Sequence, residues 1–222
     1  MRIGIFGTAV NDGTIEQVIG EARGAEASGF SSYWAPQIFG HDALTVLALA
    51  GREVPRIELG TSVVPTFPRH PMALAQQALT VNAACDGRLC LGIGLSHQVV
   101  IESMMGLSFD KPVRHLRDYL SVLMPLLHDG KVSYDGDAYR AQAAITVNGG
   151  TAPAVVVAAL GPQLLGLTGR LADGTLTWCV GPDTLRDFTV PTITAVPKIP
   201  IRMRPHGSPR LGGADSTERG ET

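Results

Sequence analysis

A histidine follows one of the most apolar segments of the chain and could act on a substrate proton. The segment RLCLGIGL, residues 88–95, is typical of a buried strand, and Ser96 and His97 come directly after it. In a barrel of parallel strands, such a position lies at the edge where catalytic residues gather. Histidine exchanges a proton near neutral pH, so His97 is a candidate proton donor. A hydrogen-bonding role at the surface is the alternative.

The segment ALGPQ, residues 159–163, could hold an anion. Proline is favoured at the first position of a helix, so a helix is expected to begin at Pro162, directly after Gly161. The first amides of a helix lack partners within it and lie at the positive end of its dipole, which attracts phosphate. A phosphate site and an ordinary tight turn between strand and helix are both consistent with these residues.

The other histidines and the cysteines do not form a recognisable site. The three cysteines contain no CxxC pair, and their odd number argues against a framework of disulfides. No metal site is predicted, because four further histidines lack the spacing of metal ligands. These are His41, His70, His115 and His128.

The hydrophobic pattern predicts the elements that position these residues. Short apolar or β-branched runs alternate with longer segments of helical period, which makes six strand–helix units in succession. The predicted strands are residues 2–7, 31–35, 56–64, 88–95, 154–160 and 174–180. The predicted helices are residues 15–28, 43–52, 71–84, 112–128, 162–171 and 182–195, and Thr14 and Asp42 are candidate N-caps. Residues 130–150 alternate around an Asp-Gly turn, which predicts a hairpin outside the main sheet.

Strands that alternate with helices form a parallel sheet, either open and doubly wound or closed into a barrel. The segment GIFGTAVNDG after the first strand lacks the GxGxxG spacing of a dinucleotide-binding unit, which favours the barrel. A complete (β/α)8 barrel needs eight units over roughly 250 residues. We therefore predict an α/β domain over residues 1–195, TIM-barrel-like, with about six of those units present.

The composition changes after residue 195. Residues 196–222 are rich in proline, glycine and arginine and show neither helical nor strand periodicity. Such a segment cannot bury enough apolar surface to offset its ordering entropy, so it is expected to be disordered. A truncated or frame-shifted C-terminus is the preferred explanation, and a natural interaction tail is the alternative.

The overall composition argues against several classes of function. A net charge of −2 over 222 residues removes the basic surface expected of nucleic-acid-binding proteins. No apolar run is long enough to span a bilayer, and the first residues do not resemble a signal peptide. We expect a cytoplasmic protein that acts on a small molecule, without a nucleic-acid or membrane partner.

Several segments resemble a known family. LGTSVVPTFPRHPMALAQQALTV, DGRLCLGIGLSH and VVVAALGPQLLGLTGRLADGTLTW resemble the luciferase-like monooxygenase superfamily, in particular its deazaflavin (coenzyme F-420) dependent oxidoreductases. The resemblance covers residues 1–195 in order. It implies an eight-stranded barrel, a flavin or deazaflavin at the carboxyl ends of the strands, and often a homodimer.

The resemblance also implies roles for residues at the strand ends. A non-prolyl cis peptide between Ser62 and Val63 would support the back of the cofactor ring, and the phosphate of the cofactor would lie at the turn before Pro162. Some relatives place a glutamate where His97 falls, in agreement with a proton donor there. The implied cofactor contacts are Gly7, Gln37, Ser62, Val63, Leu95, Ser96, Leu160, Gly161, Pro162 and Gln163.

One departure from the family bears on the reaction. Relatives that oxidise alcohols or sugar phosphates have Asp-His-Phe after the second strand, whereas Gln37 and Ile38 stand in those places here. Without that histidine, reduction of an activated double bond or flavin-dependent oxygenation is favoured over alcohol oxidation. Trp34 and Trp178, placed in predicted strands, would line the substrate pocket or pack in the core.

These observations predict an oxidoreductase that passes hydride between coenzyme F-420 and a small organic substrate. A monooxygenase of the same fold that uses reduced FMN is one alternative. An inactive remnant that lacks the last two units, with open edges at the first and sixth strands, is an alternative of a different class.

Overall fold

The computed structural model of the chain describes residues 2–199. Within them the strands are β1 (Gly4–Phe6), β2 (Ser32–Ala35), β3 (Glu58–Thr61), β4 (Val64–Pro65), β5 (Leu89–Gly94), β6 (Lys131–Asp135), β7 (Arg140–Ala144), β8 (Ala154–Ala158) and β9 (Gly174–Leu176). The helices are α1 (Ala9–Asp12), α2 (Ile15–Ala27), α3 (Ala43–Glu53), α4 (Pro71–Ala84), α5 (Pro112–Asp129), α6 (Pro162–Leu171), α7 (Pro182–Thr184) and α8 (Val190–Thr194). Two π-helical segments lie at Val100–Met104 and Leu185–Thr189.

Six strands form one parallel sheet in the order β1-β2-β3-β5-β8-β9, which confirms the predicted strand–helix alternation. The short β4 lies beyond the end of β3 and pairs with β5, with Val64 opposite Ile93. Helices connect successive strands of the sheet, as in the units of a (β/α) barrel. The sheet is curled, because rings at its two opposite edges meet: Phe6 on β1 and Trp178 after β9 have centroids 6.0 Å apart.

Alternate residues of β3, β5 and β8 pack against the helices. Leu59, Leu91 and Val157 are fully buried in the hydrophobic core, which helices α2 to α6 complete. The residues between them on the same strands are small, as Gly60 and Gly92 illustrate, and they lie on the inner face of the curl. The core therefore lies between sheet and helices, and the small residues leave space inside the curl.

The predicted helix starts are confirmed. Thr14 and Gln17 form a reciprocal capping box at the start of α2. Asp42 caps α3 by accepting a hydrogen bond from the Thr45 amide at 2.9 Å. Proline occupies the first turn of α4, α5 and α6, where its missing amide is not needed. No helix among residues 2–199 is both long and apolar enough to cross a membrane.

Three predicted elements differ from the structure. The third strand is interrupted at Ser62 and Val63 and continues as β4. The last strand ends at Leu176, where its pairing with Ala158 stops, so the prediction that Trp178 lies in a strand is wrong. The predicted last helix is divided by a π-helical segment into α7 and α8. Helix α1 and the first π-helical segment were not predicted, because elements of four or five residues are too short for a periodic pattern.

The predicted hairpin is present as the antiparallel pair β6 and β7, separate from the main sheet. Its tip is tied to α5 by the fully buried Asp118. The Asp118 carboxylate accepts hydrogen bonds from the Tyr134 hydroxyl and the Ala138 amide, each at 2.8 Å, and pairs with Arg117 at 2.7 Å. Burial opposes ionisation of this carboxyl, but the hydrogen bonds and Arg117 outweigh it and hold the pKa of Asp118 below its usual value.

The end of the described chain contacts α6. The Ile199 amide donates to the Arg170 carbonyl at 3.1 Å, and Lys198 pairs with Asp173 at 2.8 Å. These residues belong to the segment 196–222 that the sequence predicts to be disordered. Residues 200–222, the remainder of that predicted tail, lie outside the described residues.

Candidate functional site

The carboxyl ends of the six parallel strands lie at one edge of the sheet, and this edge carries the residues of the predicted site. Ligands of parallel α/β folds bind at this edge, because the loops after all the strands meet there. The residues are Gly7 after β1, Gln37 after β2, Ser62 and Val63 after β3, Leu95, Ser96 and His97 after β5, Leu160, Gly161, Pro162 and Gln163 after β8, and Trp178 after β9.

Trp34 lies on the inner face of the curled sheet, where glycines on both neighbouring strands make room for it. A β-carbon on Gly60 would lie 2.3 Å from Trp34 Cε3, and one on Gly4 would lie 2.8 Å from Nε1. The indole nitrogen donates to Ser32 Oγ at 2.9 Å. The half-buried indole is therefore held in one orientation and forms a wall of the candidate site.

The peptide bond between Ser62 and Val63 is cis, which confirms that prediction. The Ser62 amide donates to the Ala35 carbonyl at 2.8 Å and so ties this segment to the end of β2. The Val63 side chain lies over β5, where a β-carbon on Gly94 would come within 2.7 Å of Val63 Cγ2. A glycine at position 94 is therefore required for the observed place of Val63.

The loop after β1 is held by Glu21, a residue to which the sequence analysis gave no part in the site. Its carboxylate accepts hydrogen bonds from the Thr8 hydroxyl at 2.8 Å, the Ala9 amide at 3.2 Å and the Tyr33 hydroxyl at 2.9 Å. Burial opposes ionisation, but these bonds hold the pKa of Glu21 below its usual value. Burial and the Glu21 carboxylate raise the pKa of Tyr33. A β-carbon on Gly7 would lie 2.1 Å from the Tyr33 hydroxyl oxygen, so this network also requires glycine at position 7.

Gln37 is occupied by a structural contact. Its side-chain oxygen accepts a hydrogen bond from the Ala43 amide at 2.8 Å, at the start of α3. Nearby, Arg69 pairs with Asp42 and so joins the loops that follow β2 and β4. Burial opposes ionisation of Asp42, but its bonds with Thr45 and the charge of Arg69 hold its pKa below the usual value. Gln37 can therefore contact a ligand through its amide NH2, but its oxygen is committed to α3.

His97 lies at the rim with an exposed side chain. Its backbone carbonyl accepts hydrogen bonds from the amides of Val100 and Ile101, at 2.9 and 3.1 Å, which begin the π-helical segment. Ser96 before it has a left-handed backbone with φ of 64°. The imidazole has no hydrogen-bonding partner within residues 2–199, so it is free to contact a ligand.

The amino terminus of α6 is open. Gly161 is its N-cap, has no side chain to cap the first amides, and is followed by Pro162. Nothing lies within 4 Å of the position that a β-carbon on Gly161 would occupy. The unpaired amides of this helix, which is ten residues long, are therefore accessible to an anion.

Two aromatic rings from opposite edges of the sheet cover part of the same region. The Trp178 side chain is 68% exposed and contacts Phe6 at a centroid distance of 6.0 Å. Leu176, the last residue of β9, lies against Gly92, where a β-carbon would come within 2.9 Å of its Cδ1. The edge thus offers flat apolar surface together with an imidazole and a helix amino terminus. No group of three or more His, Cys, Asp or Glu residues in the described part of the chain could hold a metal ion.

Comparison with protein families gives one match that spans most of the chain. The model of the luciferase-like monooxygenase family matches residues 1–196. Among curated proteins, a putative coenzyme F-420-dependent oxidoreductase of Mycobacterium tuberculosis is 36% identical over 52% of this chain and 34% of its own length. A 5,10-methylenetetrahydromethanopterin reductase of Archaeoglobus fulgidus is 31% identical over 68% of this chain and 46% of its own. An F-420-dependent glucose-6-phosphate dehydrogenase of Intrasporangium calvum is 32% identical over 78% of this chain and 57% of its own.

Solved structures show the same fold. The coenzyme F-420-dependent tetrahydromethanopterin reductase of Methanopyrus kandleri superposes with a TM-score of 0.75 at 24% identity, over 86% of this chain and 59% of that chain. An FMN complex of a type II Baeyer-Villiger monooxygenase from Pseudomonas putida superposes with a TM-score of 0.73 at 16% identity, over 90% of this chain and 64% of that chain. Each likeness is below 25% identity and establishes the TIM-barrel-like α/β fold alone. The chain spans about a third to a little over half of the length of the curated relatives it matches.

Proposed function

Because the chain belongs to the luciferase-like monooxygenase family, we propose that it is an oxidoreductase that uses coenzyme F-420 to transfer hydride to or from a small organic substrate. The observation that carries this proposal is the 32% identity, over 78% of this chain, to an F-420-dependent dehydrogenase. FMN is the alternative cofactor. Its support is the fold shared with an FMN-bound monooxygenase at 16% identity, which is a weaker argument than the sequence relationship.

The residues at the sheet edge fit a planar cofactor that carries a phosphate. Trp34 and Val63 would contact the ring system, because both lie on the inner side of the curl and are fixed by glycines. The open amides at the start of α6 would bind the phosphate, since the space beside Gly161 is empty of protein atoms to 4 Å. The cofactor supplies the hydride chemistry when bound, and the protein orients the reactants and excludes competing reactions.

His97 and Gln37 bear on the direction of the reaction. His97 would deliver a proton to the substrate atom next to the one that receives hydride, because its imidazole is exposed at the rim and unpaired in the described chain. Ile38, which has no basic group, stands where alcohol-oxidising relatives have the histidine, and the side-chain oxygen of the neighbouring Gln37 already accepts a hydrogen bond from the Ala43 amide. Without a base there to remove a hydroxyl proton, reduction of an activated double bond is favoured over oxidation of an alcohol.

Separate titrations of the purified chain with coenzyme F-420 and FMN, followed by cofactor fluorescence, test the proposal. We expect tighter binding of coenzyme F-420. A preference for FMN would instead support the monooxygenase alternative. Failure to bind either cofactor would contradict the proposed function and favour a chain that has family sequence without family activity.

A matched pair of variants tests the phosphate position. Gly161 and Gly181 each precede a proline at the start of a helix, and neither has a protein atom within 4 Å of its β-carbon position. Gly161→Glu should weaken binding of coenzyme F-420 by about tenfold or more, because it adds a negative charge beside the phosphate. Gly181→Glu should have a much smaller effect, and equal losses in both variants would exclude α6 as the phosphate site.

A further inference from the structure

A cavity of about 400 Å³ lies at the start of α5, between the loop that precedes this helix and the tip of the hairpin. Its lining includes Phe67, Ser108, Lys111, His115, Ala138 and Tyr139. None of the residues assigned to the candidate cofactor site lines it. The volume lies within the range of sites that bind small organic molecules.

His115 is a buried polar side chain in this lining that lacks one partner. It is 7% exposed, and its Nε2 lies 2.9 Å from Thr66 Oγ1. Its other ring nitrogen has no hydrogen-bonding partner within residues 2–199. This nitrogen is not one of the fully buried polar atoms that lack a partner in the described chain, so it is reachable from the cavity and can hydrogen-bond to a ligand there.

Aromatic rings fix the plane of the imidazole. The Phe67 ring stacks on His115 at a centroid distance of 3.8 Å and an interplanar angle of 5°. Tyr139 and Tyr119 approach at 5.4 and 5.8 Å with tilted rings. Because Phe67 covers one face of the imidazole, and the ring nitrogens bond in the plane of the ring, a ligand can hydrogen-bond to His115 only at the ring edge. A flat ligand would therefore find a hydrogen-bonding edge between aromatic side chains.

The charges around the cavity balance. Arg114 pairs with Asp137 at 3.0 Å, and Asp110 and Lys111 are neighbours of opposite sign. Burial lowers the pKa of His115 to about 4, so the imidazole is neutral at pH 7. This environment gives no electrostatic advantage to an anion or a cation and suits an uncharged ligand.

We propose that this cavity is a binding site for a neutral, planar aromatic or heteroaromatic compound that hydrogen-bonds to the unpartnered ring nitrogen of His115. The His115 tautomer does not restrict the choice of ligand if the ligand carries both a donor and an acceptor. Indazole has both on adjacent nitrogens, and indene has the same shape without either group. This pair therefore separates the hydrogen bond from the apolar contact.

Nuclear magnetic resonance of the full chain labelled with ¹⁵N-histidine tests the proposal. Indazole should bind about tenfold more tightly than indene, the effect of one good hydrogen bond, and should shift the ring-nitrogen resonances of His115. His115→Phe keeps a stacked ring but removes both nitrogens, so it should abolish the preference for indazole. Equal binding of the two compounds to the unmodified chain would overturn the proposal.

A second pair of variants tests the location without changing His115. Ala138→Trp places a large ring in the cavity and leaves the backbone bond from Ala138 to Asp118 available, so both compounds should lose affinity. Ala144→Trp introduces the same side chain at the exposed end of β7, away from this cavity, and should bind both compounds normally. Unchanged binding to a folded Ala138→Trp variant would also overturn the proposal, even if His115→Phe fails to fold.

Discussion

The indole of Trp34 lies so close to Gly60 that a β-carbon on the glycine would come within 2.3 Å of Trp34 Cε3. The two residues are also paired in register, on β2 and β3. A ring of this size can lie flat on the inner face of the sheet only beside a residue without a side chain. The shape of the candidate site therefore depends on a glycine that contributes no chemistry.

Replacement of Gly60 by alanine should displace Trp34. We expect a loss of about 1–3 kcal/mol in the free energy of unfolding, as for an overpacked core, together with a shift in tryptophan emission. Urea unfolding followed by fluorescence measures both. In a Trp34→Phe background, Gly60→Ala should lower the free energy of unfolding by less. The control Gly24→Ala, on an open face of α2, should not destabilise the protein. A Gly60→Ala variant as stable as the unmodified chain would disprove the packing argument.

Gly94→Ala should weaken cofactor binding. The added β-carbon would lie 2.7 Å from Val63 Cγ2 and 3.2 Å from Ala158 Cβ, so Val63 would have to move from the candidate site. We expect an affinity loss of about tenfold in a fluorescence titration with coenzyme F-420. Adding Val63→Ala to the variant restores space and separates the steric effect from the lost apolar contact. Unchanged affinity in a folded Gly94→Ala variant would show that Val63 does not contact the cofactor.

His97→Ala should slow the chemical step without loss of cofactor affinity. A positioned proton donor typically accelerates a reaction by a factor of about 10²–10⁴, so the variant should be slower by a factor in this range. Single-turnover oxidation of reduced coenzyme F-420 by cyclohex-2-enone, an activated double bond, measures this step. The neighbouring Gln98→Ala variant is the control, because Gln98 bonds only to Glu102 within the described chain. Equal rates in the unmodified chain and in both variants would exclude His97 from catalysis.

The stability of the protein should fall as the pH is lowered from about 6.5 to about 4. Burial lowers the pKa of His115 from 6.5 to about 4, so in this window the unfolded chain binds a proton that the folded chain does not. The contribution of the neutral His115 to the free energy of unfolding is complete above pH 6.5. It should be reduced by roughly 3 kcal/mol at the acid end of the window. Urea unfolding at several pH values measures it. His115→Phe should flatten this part of the profile, and an identical slope in the variant would assign the effect to other groups.

Asp118→Asn should loosen the hairpin. The buried carboxylate joins α5 to Tyr134 and to the Ala138 amide. Its loss should lower the free energy of unfolding by about 3 kcal/mol and speed hydrogen exchange of the Ala138 amide. Asp135→Asn is the matched control, because Asp135 pairs with the exposed Arg140 and should contribute less than about 1 kcal/mol. If the two variants are equally stable, Asp118 does not anchor the hairpin.

Local signals were sufficient to predict most of the architecture. The capping residues Thr14 and Asp42 and the proline at the start of α4 act on neighbouring residues, so their effect can be recognised in a short segment. The alternation of strands and helices predicts a parallel sheet, and the carboxyl ends of parallel strands share an edge. The common location of Gly7, Ser62 and the other candidate residues follows from this alone.

Tertiary structure decided which side chains occupy that edge and how they are held. The place of the Trp34 ring depends on the absence of side chains at Gly4 and Gly60, and the loop after β1 is held by hydrogen bonds to Glu21. These contacts all join different elements. The strand before Trp178 ends where its ladder with β8 ends, which no property of the tryptophan indicates. The sequence determined the order of the elements, because their signals are local. The fit between side chains came only from the folded chain, because contacts such as that of His115 with Thr66 join residues 49 positions apart.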